Sequence, residues 1–282
     1  MKKVSDFKSV VFAGGGSRCF WQLGFWETAA PALNIRPDVV AGVSAGAAFA
    51  CLALAADAKK VLDYFKKLTA ANEKNMYMEN LFSRKPMFPH YDMFRDAIMF
   101  SLDDSVMKKL AKGPDIQILI TRPPRWMGAK LAAVTGVMAY NLEKKIFYPL
   151  HPVFPQKLGF KPEIVSIKDC ETREDLADLM MQSSCAPPLL PVMKRDGRIV
   201  LDGGMIDNVP VFMVRDLPGR KLVLLTRKYK DEIIPKNTDV LYIQPSEHIH
   251  IKKWEYTDPD GLQYVFDMGR RDGEAFVRQY KS

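Results

Sequence analysis

Two kinds of apolar pattern alternate along this chain. Short runs that are almost wholly apolar occur at Ser9–Ala13, Asp38–Gly42, Asp115–Thr121, Glu163–Ile167, Arg198–Leu201, Lys221–Thr226 and Val240–Ile243. Such runs predict strands buried on both faces. Between them lie longer stretches in which apolar residues return every three or four positions: Arg18–Ala30, Ser44–Ala56, Lys59–Ala71, Thr172–Ser183 and Asp260–Gln279. These predict helices. Strands alternating with helices predict an α/β protein, a three-layer α/β/α sandwich around a central, mostly parallel sheet. No repeat or low-complexity linker interrupts the pattern, so one domain over 1–282 is the expectation.

Two stretches need a closer reading. Val39–Ala56, VVAGVSAGAAFACLALAA, carries no charge and is fenced by Asp38 and Asp57. Its length approaches the roughly 20 residues of a membrane span. Its composition argues otherwise, because Ala and Gly gain little from lipid. It also contains a GxSxG, with Gly42 and Gly46 around Ser44. Glycines weaken a plain helix, but they suit a sharp strand-to-helix turn that lifts one hydroxyl out of the chain. The second stretch, 72–100, crowds methionines and aromatics around Pro86 and Pro89. It reads either as a pair of helices packed on the core or as an adaptable lid that touches lipid.

Composition narrows the classes. Hydrophobic content of 48% with 26% charged residues is that of a globular protein able to bury a full core. The net charge of +8 favours anionic partners. The basic residues are scattered in short pairs such as Lys59-Lys60, Lys66-Lys67 and Lys144-Lys145, so nothing indicates nucleic acid. Cys19, Cys51, Cys170 and Cys185 form no CxxC and have no histidine at zinc-ligand spacing. Buried free thiols, a reducing compartment and no metal are expected. MKKVSDFKSVVF has no signal-peptide core, because Asp6 and Lys8 interrupt it. A cytoplasmic location is expected, extending to the periphery of membranes, and export without a cleavable signal stays open.

Three motifs carry chemistry. Ser44 follows a predicted strand and precedes a helix, the context that a nucleophilic GxSxG requires. The competing reading is a helix-capping serine between packing glycines. Gly14-Gly15-Gly16-Ser17-Arg18 also joins a strand to a helix. It is no dinucleotide loop, since Cys19 replaces the last glycine, and no P-loop, since Lys-Ser or Lys-Thr is missing. Bare N–H groups facing a developing anion are its better use. Asp202-Gly203-Gly204 follows a predicted strand on the edge where α/β sites form, although an Asp before glycines is also a common turn. The histidines are His90, His151, His248 and His250. His248 or His250 would complete a Ser–Asp–His order.

In sequence order these pieces resemble the patatin-like phospholipase family. The resemblance runs from about Lys8 to the final helix. It rests on GGGSR at Gly14–Arg18, GVSAG at Gly42–Gly46, SSCAPPLLPV at Ser183–Val192, DGGMIDNVPV from Asp202, and the closing DGLQYVFDMGRRDGEAFV. It implies a Ser–Asp dyad without histidine, with Ser44 as nucleophile and Asp202 as its partner. Gly14, Gly15, Gly16 and Ala45 would supply oxyanion N–H groups. Arg18, Gly42, Gly46, Gly203 and Gly204 would support the motifs. Cys19 departs from the family's usual Gly and would crowd the first turn slightly.

The function expected is a lipid acyl hydrolase, of phospholipase A or lysophospholipase type, working through an acyl-enzyme without metal or cofactor. Its partner would be lipid at a membrane surface; an activating protein is neither implied nor barred by any motif. The same dyad would serve an acyltransferase, in which an alcohol replaces water. A non-catalytic lipid-binding protein of the same fold is the alternative from another class.

Overall fold

The computed structural model describes residues 6–281 except 82, 84, 129, 130, 132, 133 and 136–153. His151 and Phe82 fall outside the described residues. Strand β1 (Phe7–Phe12) shows why the sheet forms. Its side chains alternate between two faces. Phe7, Val10 and Phe12 enter one core, and Val11 with Ala13 enters the other. A strand that is apolar on both sides must be covered on both sides, which places it in the middle of a sheet.

β1 has β2 (Val39–Val43) on one side and β7 (Arg220–Leu224) on the other, both parallel to it. β3 (Asp115–Arg122) extends the parallel set beyond β2, and β8 (Val240–Ile243) extends it beyond β7. Three further strands are antiparallel additions. β4 (Lys161–Ser166) and β6 (Arg198–Asp202) both pair with β3, and β5 (Met193–Arg195) forms a hairpin with β6. The result is a mixed, mostly parallel eight-stranded sheet flanked by helices.

The larger core lies under the helices α1 (Phe20–Leu33), α2 (Ala45–Ala55), α3 (Ala58–Ala70), α4 (His90–Ser101), α5 (Asp104–Lys112), α6 (Arg173–Ser183) and α7 (Pro259–Lys281). α1 is buried nearly all round, because α7 covers its outer side. Bare glycines let these two helices touch. A Cβ on Gly269 would stand 2.1 Å from the Trp21 carbonyl oxygen, and one on Gly24 2.1 Å from that of Phe266. The opposite face of the sheet is covered, among the described residues, by turns between Gly203 and Leu217 together with Met127, Phe160 and Tyr229.

One feature of the register positions the site. Ile120 of β3 pairs with Glu163 of β4 on one edge and with Asp202 of β6 on the other. Leu119 pairs with Ile164 of β4 and with Val43 of β2. β2 and β6 therefore share one edge of β3, running towards each other end to end. The residue after Val43 is Ser44, and the last residue of β6 is Asp202.

Candidate active site

Ser44 occupies the turn between β2 and α2, with φ 54° and ψ −140°. A non-glycine residue there is strained by about 1–3 kcal/mol and persists only when its surroundings fix it. The Ser44 N–H donates to Ser183 Oγ at 2.8 Å, and Ser183 Oγ donates to the Leu119 carbonyl at 2.7 Å. Gly46 lets α2 approach the end of β1, since a Cβ there would lie 2.4 Å from the Ala13 carbonyl oxygen. Gly42 faces the Cα of Ala47 in the same tight turn.

The Ser44 hydroxyl donates to Asp202 Oδ2 at 2.9 Å. Both residues are buried, with Ser44 at 0% exposure and Asp202 at 4%. The other carboxylate oxygen, Oδ1, accepts the Gly204 N–H at 2.7 Å. The Asp202 backbone is tied at both ends: its N–H donates to the Cys185 carbonyl, and its carbonyl accepts the Thr121 hydroxyl. Gly203 packs against the Leu119 carbonyl, where no side chain would fit.

The glycine-rich loop lies beside Ser44: a Cβ on Gly14 would be 3.2 Å from the Ser44 Cβ. The three glycines do different things. The Gly14 N–H donates to the Asn208 carbonyl at 3.0 Å, and the Gly14 carbonyl accepts from Asn208 Nδ2 and Thr226 Oγ1, each at 2.7 Å. The oxyanion role that the resemblance implies for Gly14 therefore meets an N–H already engaged. The N–H groups of Gly16 and Ala45 have no protein acceptor among the described residues, whereas the Gly15 N–H is directed at the Cys19 sulfur. Gly16 has φ +58°, and a Cβ there would collide with the Lys253 carbonyl oxygen. Cys19 is accommodated fully buried, its Sγ 3.7 Å from the Ala13 carbonyl oxygen. Burial pushes its thiol pKa far up, so it stays protonated.

A strap formed by 251–257 closes over this loop. Ser17 N–H donates to the Lys253 carbonyl, Ser17 Oγ to that of Glu255, and Arg18 Nε to that of Ile251. Asn75 holds the strap from the other side, accepting the Tyr256 N–H and donating to Glu255 Oε1. His90 Nε2 lies 3.1 Å from the Trp254 carbonyl oxygen, while its buried Nδ1 has no partner. In the 72–100 stretch, Met76 and Met78 are exposed, whereas Phe94, Ala97 and Ile98 of α4 are buried.

Two cavities flank the glycine-rich loop. On the Gly16 and Ala45 side the walls are Phe20, Phe49, Phe65, Phe94, Trp254 and Tyr256, and the space left is only about 10 Å³. That is room for little more than one water molecule and far too little for an acyl chain. On the Gly14 and Gly15 side a cavity of about 260 Å³ is lined by Arg18, Arg227 and Lys253. Arg18 thus lines this cavity and not the aromatic one. Burial first, and the Arg227 charge second, lower its guanidinium pKa from the ordinary value.

Among the described residues no histidine contacts the dyad. His248 and His250 are exposed and face each other with ring centroids 5.5 Å apart. Nor does any described group of three or more His, Cys, Asp and Glu have the arrangement of a metal site. Ser183, the first residue of SSCAPPLLPV, supports the site, and so do Thr121 and Thr226, which had not been singled out as candidates. Lone hydroxyls at strand and helix ends carry no pattern in the sequence. Asn208 did have a signal, since it lies within DGGMIDNVPV.

Among solved structures, VipD from Legionella pneumophila is similar at 13% identity, with 98% of this chain and 68% of that one covered and a TM-score of 0.48. The type III effector protein ExoU is similar at 14% identity, with 98% and 54% covered and a TM-score of 0.39. No curated protein sequence gives a significant match. The patatin-like phospholipase family model matches residues 10–215, a span that takes in Ser44 and Asp202. A match over that much of the sequence means that the chain belongs to the patatin-like phospholipase family.

Proposed function

We propose that this protein is a lipid acyl hydrolase of phospholipase A or lysophospholipase type, acting as a single patatin-like domain at membrane surfaces. The observation that carries the reading is the buried 2.9 Å hydrogen bond from Ser44 Oγ to Asp202 Oδ2, with no histidine beside it among the described residues. Membership of a lipid-hydrolase family supports the substrate class.

The chemistry follows from who can move a proton. Ser44 Oγ attacks the ester carbonyl carbon while its proton passes to Asp202 Oδ2. A carboxylate is a weak base for a hydroxyl, so the short, dry transfer path matters. The carbonyl oxygen becomes an oxyanion, for which the unengaged N–H groups of Gly16 and Ala45 are the candidate donors, with the Gly15 N–H joining them if it turns from the Cys19 sulfur; each such donor is worth about 3 kcal/mol. Collapse of the intermediate breaks the ester C–O bond, and the leaving alcohol takes the proton from Asp202. Water then gives a proton to Asp202 and attacks the acyl-serine. Fatty acid leaves, and Ser44 recovers its proton.

The test is fatty-acid release from mixed phospholipid vesicles with calcium chelated. Wild type should release fatty acid, and Ser44→Ala and Asp202→Asn should each lose at least about 10³-fold in rate. Equal release by wild type and Ser44→Ala would overturn the mechanism.

A further inference from the structure

We propose that the basic cavity beside the glycine-rich loop is a phosphate site, and that it selects lipids whose phosphate carries no cationic head group. This rests on the acyl-hydrolase reading of Ser44. Arg18, Arg227 and Lys253 come from three separate segments and converge on one concavity of about 260 Å³. Each stem is fixed without being neutralised. Arg18 Nε donates to the Ile251 carbonyl, Arg227 Nε donates to Tyr229 Oη with its guanidinium over that ring, and Lys253 Nζ lies 5.0 Å from the Trp254 ring centroid. None of the three has a carboxylate partner among the described residues. Like charges gathered in a half-buried hollow repel one another, and an anion with several oxygens relieves this.

The placement fits a phospholipid. The glycine-rich loop separates the basic cavity, on its Gly14 and Gly15 side, from the aromatic pocket, on its Gly16 and Ala45 side. In a glycerophospholipid the acyl chain and the phosphate likewise extend in different directions from the ester carbonyl. Once Trp254 and Tyr256 make room on the aromatic side, a carbonyl held beside Ser44 can therefore send its chain to that pocket and its phosphate to the other. The basic cavity also has no carboxylate in its lining. A choline or ethanolamine ammonium would meet three cations there and no counter-charge. A phosphate monoester, or a diester with an uncharged alcohol, is the better fit.

The test uses binding, so that it does not depend on turnover. Ser44→Ala protein is titrated with monomeric short-chain lipids carrying a phosphate monoester, phosphocholine or no phosphate, and separately with inorganic phosphate. The monoester lipid should bind at least about ten-fold more tightly than the other two lipids, as one charge-assisted contact allows. Adding Arg227→Gln or Lys253→Gln should remove about ten-fold of that preference, and Arg227→Lys should keep most of it. Equal affinity for the three lipids, or a preference unmoved by Arg227→Gln, would overturn the proposal. So would inorganic phosphate binding as tightly as the monoester lipid, which would assign the cavity to free phosphate. Loss of wild-type fatty-acid release with the binding preference intact would sink the hydrolase reading alone.

Discussion

At the scale of single residues, Ser44 sets stability against chemistry. Its φ of 54° suits glycine and strains serine. Ser44→Gly and Ser44→Ala should both be inactive, but the glycine variant should have the higher Tm, by a few degrees, because only it relaxes the turn. Ser183 is the second lever. Its hydroxyl accepts the Ser44 N–H and is itself fully buried. Ser183→Ala strands that N–H, which should cost about 1–3 kcal/mol in urea unfolding and lower kcat more than it changes KM. His90 gives a pH dependence. Burial holds its pKa below the ordinary 6.5, against the opposing effects of the Trp254 carbonyl and Glu255. The folded state therefore favours the neutral ring, and the unfolded chain binds the proton first. The stability this contributes is full above about pH 6.5 and is lost as pH falls through the depressed value. Between pH 7.5 and 5.5, the Tm of wild type should fall more than that of His90→Gln. The candidate residues that the structure brings together stood out in the sequence because a serine in a sharp turn, a bare-backbone loop and a strand-end carboxylate each restrict residue type. Thr121 and Thr226 did not, because a hydroxyl that props up a neighbour looks like any other.

At the scale of elements, the dyad is a product of strand register. β2 and β6 meet on one edge of β3, opposite the consecutive residues Leu119 and Ile120. Arg122 secures the far end of this arrangement. Its guanidinium makes two hydrogen bonds to Glu163 of β4 and donates from Nη1 to the carbonyls of Arg195 and Arg198 in the β5–β6 hairpin. The Arg122 side chain is 6% exposed and that of Glu163 is 32% exposed, so part of the pair is open to solvent. Arg122→Met should cost about 2–3 kcal/mol in denaturant unfolding. It should also lower activity, because the hairpin carries Asp202. Periodicity revealed seven of the strands nearly in place: Lys221–Thr226 was expected, and Arg220–Leu224 is observed. It could not reveal direction, since a buried strand has the same pattern whichever way it runs. β4 and β6 thus gave no sign of being antiparallel. β5, with three residues, is too short for any period to register. α1 extends through Pro31 to Leu33, past the expected end at Ala30, because tertiary packing on the sheet and α7 outweighs the lost hydrogen bond.

At the scale of the molecule, the site is built but closed. Ser44 has no exposed surface, and the aromatic pocket beside it is filled by its own walls. No described helix is long and apolar enough to cross a membrane, so the uncharged run at Val39–Ala56 is accounted for by its burial as β2, the serine turn and α2. On the proposed function, substrate entry would need the strap over the loop to move, and Asn75 is one of its fasteners. Asn75→Ala should raise turnover of a monomeric short-chain ester several-fold while lowering Tm by a few degrees. An unchanged rate would show that the strap does not limit entry. The strap was illegible in the sequence, because its hold depends on Ser17, Asn75 and His90 far away along the chain.

The distances along the chain within this one site have a further consequence, for the cell that makes the protein. Ser44 and Asp202 are 158 positions apart, and Gly14 is fastened by Thr226 across 212. A ribosome delivers the nucleophile early and its partner late. Through most of synthesis the emerging chain carries a serine with no base and a glycine loop with no anchor. A hydrolase of the proposed kind would thereby be inactive towards membranes while it is being translated. Aborted products ending before Asp202 would be inactive as well, because they lack the partner of Ser44.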